Sequence, residues 1–459
     1  MPKALDIKKN KSKKVNIFFW SGLILYAVTA GCIMILQPLS DLPPLNPNPP
    51  DEHARYLIPY YVYQHGIIPT GLEEEIQMPG YGGSYALLPD LSYLIMGLVM
   101  RVVSRFFSAE SETTLLLTAR SVNFVFGLLM SWVVWLLAGR IFKDSGGKIL
   151  FWTGVTFLPQ QLFLHTYVNT DSMCMLSLAI IIYGLVCMEQ DGVNYKNCTI
   201  FGIGAALCTL SYYNAYGFLL VSIPVFVRFF WKKKGFQLKK ILLYGGYIIL
   251  IWSVLALWWF IRNAVVLDGD FLGMRTRAQF QAAAGGAVSY RDMGISMFQM
   301  FHDMGTFPGL FAIFVARYGS ATIDAPVWIY GFYLFFFTAG ILGMVLRFCE
   351  WLRLNIRNKN KVGKIDTEIF FHSMLLLACV ITFALWLYYC YCMDYQAQGR
   401  YLMPALIPLL WWVAKGLEFF VKNRPDKVKD YIYGILTAMI IFCLIIYVFG
   451  VAVPVYKQF

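Results

Sequence analysis

The sequence predicts an all-α, polytopic membrane protein on three observations. Runs of about 20 apolar residues, the length that spans a hydrocarbon core, recur along the chain. Charged residues make up 14% of the 459 residues, against roughly 25% in soluble domains. The lysines and arginines behind the net charge of +12 come in short blocks between apolar runs, the pattern of cytoplasmic loops. The blocks are KKNKSKK near the start, WKKKGFQLKK at 231–240, RLNIRNKNKVGK at 353–364 and VKNRPDKVKD at 421–430. Charge gathered in this way orients a chain in a bilayer and argues against nucleic-acid binding.

The elements follow in order within a single domain, 1–459. Residues 1–15 are a basic cytoplasmic tail. The apolar run 16–38 is too long for a signal peptide and has no small-residue cleavage site, so it stays as the first helix. Residues 39–112 form a large first outer loop. Within it, 83–105 is apolar at its centre but carries Pro89, Asp90, Arg101 and Arg105. An ionised group at mid-membrane costs about 2.5–3.5 kcal/mol, and a crossing here would throw the later basic blocks to the wrong side. It is therefore read as a surface-lying helix. Spans follow at 113–139, 149–166, 172–188, 198–213, 215–231, 239–261, 326–346, 367–392, 401–420 and 431–452, eleven in all with the first. The N-terminus is then inside and the C-terminus outside. The alternative has 83–105 crossing and the short 198–213 not. The ten cysteines lie in or beside apolar segments without a CxxC pair and read as packing residues. Asn197-Cys198-Thr199 has the form of a glycosylation sequon but falls on the inner side, where it reads as chance.

In this topology four polar clusters share the outer face. They are Asp51-Glu52-His53; Asn169 and Asp171 in YVNTDS; Arg262, Asn263, Asp268 and Asp270 in WWFIRNAVVLDGD; and Asp394, Gln398 and Arg400 in MDYQAQGRYLMP. The second cluster precedes a span, and the third opens a second large outer loop, 262–325. Four clusters distant in sequence on one face are the parts of one site, or four unrelated loop ends.

The acidic pair after the first helix, in a large outer loop with surface helices, resembles the GT-C superfamily of membrane glycosyltransferases that use polyprenyl-phosphate-linked sugars. The closer resemblance is to a large bacterial branch of membrane proteins catalogued as a domain of unknown function. It rests on Asp51-Glu52 with QHGIIP at 64–69, LPQQLFLHTYVNTDS at 158–172, WWFIRNAVVLDGD at 258–270 and QGRYLMPALIP at 398–408. It covers about residues 16–450. Relatives often place a histidine a few residues beyond the acidic pair, whereas His53 follows it directly.

The resemblance implies a GT-C-type fold in a bacterial plasma membrane, a polyprenyl-phosphate-linked sugar as donor, and an extracytoplasmic glycan, lipid or cell-wall polymer as acceptor. Inverting transfer needs a base within hydrogen-bond reach of the acceptor hydroxyl. Asp51 is expected to be that base, its pKa raised by burial at the interface. Glu52 is expected to orient the acceptor or contact another charged group. Asp171 has three readings: holding a sugar hydroxyl, helping to bind a cation, or positioning the Asp51 loop. Asn169, Thr170 and Asp171 are also plausible helix caps. Arginine matches a leaving phosphate through its planar donor fork, which points first to Arg400 and second to Arg262. Asn169, Gln398, Tyr401 and His53 complete the candidate binding set. Arg275 and Arg277 have two readings, contact with an acceptor or the phosphate and a solvated loop, of which the loop is preferred. No cofactor is assigned, and a divalent cation held by Asp51, Glu52 and Asp171 stays open. His165 and His302 are single histidines without metal-ligand spacing. The tryptophan pairs at 258–259 and 411–412 fit an interfacial belt. No Walker or dinucleotide fingerprint is present. Two other function classes compete: a lipid-linked sugar flippase, whose binding groups would sit at mid-membrane, and an oligosaccharide polymerase or ligase.

Overall fold

The computed structural model describes residues 2–38, 48–78, 83–107, 111–232, 235–286, 288–357, 367–395 and 398–458. Residues 39–47 and 79–82 of the first loop, most of the basic block at 353–364, and residues 396–397 lie outside the described residues.

The chain is built from helices: α1 (Pro2–Leu36), α2 (Glu52–His65), α3 (Leu91–Phe107), α4 (Glu112–Ile141), α5 (Ser145–Thr156), α6 (Pro159–Leu164), α7 (Asp171–Asp191), α8 (Tyr195–Thr209), α9 (Tyr216–Phe229), α10 (Leu238–Trp252), α11 (Trp258–Val266), α12 (Met274–Ala283), α13 (Met297–His302), α14 (Thr306–Val315), α15 (Val327–Arg357), α16 (Thr367–Cys392), α17 (Leu406–Val421), α18 (Asp426–Tyr447) and α19 (Val453–Tyr456). A π turn at Ser253–Leu257 joins α10 to α11, and a 3-10 turn at Gly399–Ala405 leads into α17. Two antiparallel ribbons, Trp231–Lys232 with Gly235–Phe236 and Arg317–Tyr318 with Ile323–Asp324, are the strands among the described residues.

Among the described residues eight helices are long and apolar enough to cross a membrane. The chain is thus a multi-pass membrane protein with eight full-length spans among the eleven expected segments. The other three are shorter: 215–231 forms the 14-residue α9, and the remaining two stop for identifiable reasons. The 149–166 run is split into α5 and α6 at Pro159, whose missing N–H cannot continue a helix. The run 198–213 stops at Thr209, after which the backbone turns through Tyr213–Ala215 into α9. At about 1.5 Å per residue, α8 alone falls short of a bilayer core. Helix α7 is central, with 89% of its apolar stretch buried, whereas only 6% of the Leu238–Val266 stretch is covered by protein.

The first loop is a substructure with its own core. Tyr56, Ile58 and Tyr61 of α2 meet Tyr93, Met96 and Met100 of α3 and Leu115 and Leu116 of α4. Gly97 permits the close approach, since a Cβ there would lie 2.8 Å from the Pro59 carbonyl. QHGIIP is the stop signal of α2: Gly66 adopts φ 73° and its N–H donates to the Val62 carbonyl at 2.9 Å, a left-handed C-terminal cap. The tightest crossing elsewhere is α15 on α17, where Gly340, Gly343 and Gly416 leave no room for a side chain. Small residues of this kind let membrane helices meet backbone to backbone.

Candidate active site

Asp51 is the residue immediately before α2, and its backbone is left-handed, with φ 60° and ψ 11°. A non-glycine residue held there carries strain that the surrounding structure must impose. Its Oδ2 accepts from Arg400 Nη2 at 2.8 Å and from Arg55 Nη2 at 3.3 Å. Arg55 Nη1 in turn lies 3.5 Å from Asp171 Oδ2. The four charges alternate along one line: Arg400, Asp51, Arg55, Asp171. Side-chain exposure is 2% for Arg400, 8% for Arg55 and 6% for Asp171, but 20% for Asp51. Asp51 is therefore the member of the line that a reactant can approach.

The two arginines are not saturated by this arrangement. Nε and Nη1 of both Arg55 and Arg400 are buried without a hydrogen-bond acceptor among the described residues. Unused guanidinium donors in a desolvated place are costly unless an acceptor arrives. Burial by itself would raise the Asp51 carboxyl, as expected from sequence, but the Arg400 and Arg55 guanidiniums outweigh it and hold the group below the usual carboxylate range. The expected raised pKa is thus reversed in sign.

Tyrosines surround the charges. Tyr85 lies between two guanidiniums, with Arg55 5.1 Å and Arg277 5.6 Å from its ring centre. Arg400 lies 5.2 Å from the ring of Tyr401, which stacks on Tyr212. Arg277 departs from the expected solvated loop: it sits on α12 but turns toward Tyr85, and its charge reaches Asp51. Arg275 instead donates to the Asp268 carbonyl at 2.6 Å and fixes its own loop.

Glu52 faces the other way. Arg120 Nε donates to its Oε1 at 2.8 Å and Arg120 Nη2 to its Oε2 at 2.5 Å, while the Val168 N–H donates to Oε1 at 2.8 Å. Arg120, fully buried in α4, also donates to the Met34, Gln37 and Pro38 carbonyls at the end of α1. This ties α1, α2, α4 and the 167–171 turn at one point. Asn169 belongs to the same framework. Its Nδ2 donates to the Leu164 and Tyr167 carbonyls, and its Oδ1 caps α7 by accepting from the Ser172 N–H at 3.0 Å. That leaves Asp171 for Arg55.

Arg262 is placed apart from the Asp51 line. It donates to the Pro69 carbonyl and, at 2.9 Å, to Asn263 Oδ1. Asp270 accepts from the Thr276 N–H and hydroxyl and so staples the start of α12. His53 is exposed on α2, and Gln398 is the half-buried residue before the turn that carries Arg400 and Tyr401. A cation held jointly by Asp51, Glu52 and Asp171 does not fit: Glu52 diverges to Arg120, and Arg55 stands between the two aspartates. Among the described residues no three His, Cys, Asp or Glu side chains gather as a metal site.

Arg55, Arg120 and Tyr85 are the residues that sequence reasoning missed. Two carried a signal. Arg55 is four residues after Asp51, the spacing of a helical ion pair, and Arg120 is a lone cation in an apolar helix, which needs a partner. Nothing local marks Tyr85.

No family model and no curated protein matches the chain. Its structure is similar to solved membrane enzymes. It superposes on the Archaeoglobus fulgidus oligosaccharyltransferase in complex with zinc and sulfate, with a TM-score of 0.53 and 15% identity, over 93% of this chain and 52% of that one. A second structure, oligosaccharyltransferase AglB from the same organism with an inhibitory peptide and a dolichol-phosphate, gives 0.51 and 15% over 94% and 55%. ArnT from Cupriavidus metallidurans bound to undecaprenyl phosphate gives 0.50 and 12% over 94% and 63%. The chain spans from about half to just under two thirds of these proteins' lengths. Likeness at such identity is one of fold: the chain has the all-α, GT-C-type fold.

Proposed function

We propose that this GT-C-fold protein is a membrane glycosyltransferase that moves a sugar from a polyprenyl-phosphate donor to an acceptor hydroxyl on an extracytoplasmic glycan, lipid or cell-wall polymer. One observation carries the reading. A partly exposed carboxylate sits among buried arginines that keep guanidinium N–H groups without a hydrogen-bond acceptor among the described residues. Support comes from the fold, since two solved structures that share it are described with dolichol-phosphate and undecaprenyl phosphate bound.

In the proposed reaction Asp51 accepts the acceptor's hydroxyl proton as its oxygen attacks the anomeric carbon. The bond from that carbon to the phosphate oxygen breaks, and the electron pair leaves with the lipid phosphate. Arg400 and Arg55 offer that phosphate their unfilled donors as charge-assisted hydrogen bonds, which strengthen as negative charge builds on the leaving oxygen. Attack opposite the phosphate inverts the anomeric centre. The same arginines set the timing. Without a phosphate they hold Asp51 as a weak base. With a phosphate engaged, their charge is shared, and burial then lifts the carboxylate toward useful basicity. Asp171 keeps Arg55 oriented, Tyr85 and Tyr401 lie near Asp51, and Gln398 and His53 are the further groups offered to the substrates. Glu52 and Asn169 serve by holding the framework, Arg262 by holding the first loop. The proposal sets the N-terminus inside a bacterial plasma membrane and the site outside, an orientation that the basic blocks between the apolar runs support.

The phosphate step is tested with undecaprenyl phosphate itself, titrated into the purified protein in detergent. Arg400→Gln and Arg55→Gln are each expected to weaken binding by about tenfold or more, because each loses charge-assisted hydrogen bonds worth about 1.5–3 kcal/mol. Equal affinity in wild type and both variants would remove the phosphate from this site.

A further inference from the structure

A second buried carboxylate lies away from the Asp51 line, and the groups around it form a device of their own. Asp90 stands immediately before α3, where its carbonyl accepts from the Tyr93 and Leu94 N–H groups. Its side chain is wholly buried. Oδ1 accepts from Trp259 Nε1 on α11 at 3.1 Å, while Oδ2 has no hydrogen-bond partner among the described residues. One turn along α11, Asn263 Nδ2 is likewise buried without an acceptor. Arg262, whose charge acts on Asp90, commits donors to Asn263 Oδ1 and to the carbonyl of Pro69. Pro69 closes the turn that follows α2, next to Thr70, whose N–H and hydroxyl bind Glu73.

A buried carboxyl with an empty oxygen and no direct ion pair is stable when protonated and unstable when charged. A bare guanidinium nearby is the natural remedy once the proton leaves. We infer that Asp90 is a proton-operated latch: neutral, it leaves Arg262 holding the turn at 66–70, and ionised, it draws Arg262 from Pro69 and frees that turn. Arg262 is the charged group that acts on Asp90 from α11, and Tyr213 is the titratable group that feels it from the turn after α8.

Burial raises the Asp90 carboxyl to about 7, with the Arg262 charge and the Trp259 N–H pulling the other way. The sign follows. Below about 7 the folded protein keeps Asp90 neutral and the turn held. Above it, ionisation sets against the folded arrangement, so the latch opens as pH rises. The turn ends the helix whose opposite end presents Asp51, so the latch acts on the element that positions the site. It stands on its own residues and does not require the proposed transfer reaction.

Amide hydrogen exchange of the purified protein in detergent tests it, with no donor or acceptor added. Peptides covering residues 66–72 are followed from pH 5.5 to 8.5 in wild type and in Asp90→Asn, with exposure times scaled to the intrinsic exchange rate. Protection in wild type is expected to fall by about tenfold or more as pH rises through about 7, a local opening rather than a global one. In Asp90→Asn, which keeps the neutral shape, protection stays at its low-pH level throughout. Wild-type protection that does not change with pH overturns the latch, and so does a pH-dependent loss that persists in the variant. The wild-type profile decides the matter alone if the variant does not fold.

Discussion

The left-handed backbone of Asp51, just before α2, sends two adjacent carboxylates to different tasks. Asp51 meets Arg400 and Arg55 at the open side, while Glu52 turns inward to Arg120 and the Val168 N–H. Glu52→Gln is expected to destabilise the protein by about 3–5 kcal/mol, the cost of stranding one partner of a buried pair. Detergent-solubilised thermal or denaturant unfolding reads that loss, and an unchanged stability would show that Arg120 does not depend on Glu52. Asp51 behaves differently with pH. Its carboxyl is lowered on balance by its arginines, so its contribution to stability is present above an aspartate's ordinary value of about 3.9 and is lost as pH falls below it. Asp51, Asp171, Arg400 and Tyr401 were legible because each ends or begins an apolar run, where a polar group is conspicuous. Arg55 was hidden in plain view in DEHAR, since its partner at i−4 was read only as an acid. The sequence does not choose between the two readings of Arg277: its helix buries none of its residues, and only the fold brings it over Tyr85.

At the scale of elements, glycine decides how closely helices approach. A Cβ at Gly416 of α17 would collide with the Gly340 carbonyl of α15. Gly416→Leu is therefore expected to abolish monodisperse, folded protein, read by size-exclusion chromatography after solubilisation. A well-folded Gly416→Leu would mean that the α15–α17 crossing is loose. Helix existence was legible from apolar runs, and most boundaries fall near their expected places. Helix length was less so. The expected crossing at 149–166 did not reckon with Pro159, and 198–213 was credited with residues beyond Thr209 that turn toward α9. Segment 83–105 carries charges at both ends. It becomes a 3-10 turn and then α3, packed between α2 and α4, where Asp90 and Arg101 find polar company in Trp259 and the end of α2.

At the scale of the molecule, four sequence clusters distant by hundreds of residues were expected on one face. Three of them meet around Asp51: the acidic pair, the YVNTDS turn and the QGRY turn. The fourth, WWFIRN, anchors the first loop through Pro69 and Asp90 instead. The helical architecture was legible because apolar run length is a property of a chain in a bilayer. Which clusters touch was not, because helix order in sequence does not dictate neighbours in a bundle of this size. The central claim is that this assembled site transfers sugar through Asp51. It is tested most directly by comparing cell-envelope sugar composition in wild type, a deletion strain, and an Asp51→Asn strain expressed to the same level. The account predicts that the substitution and the deletion lose the same sugar, which would identify the donor. Sugar composition in Asp51→Asn that matches wild type, while the deletion differs, would contradict it.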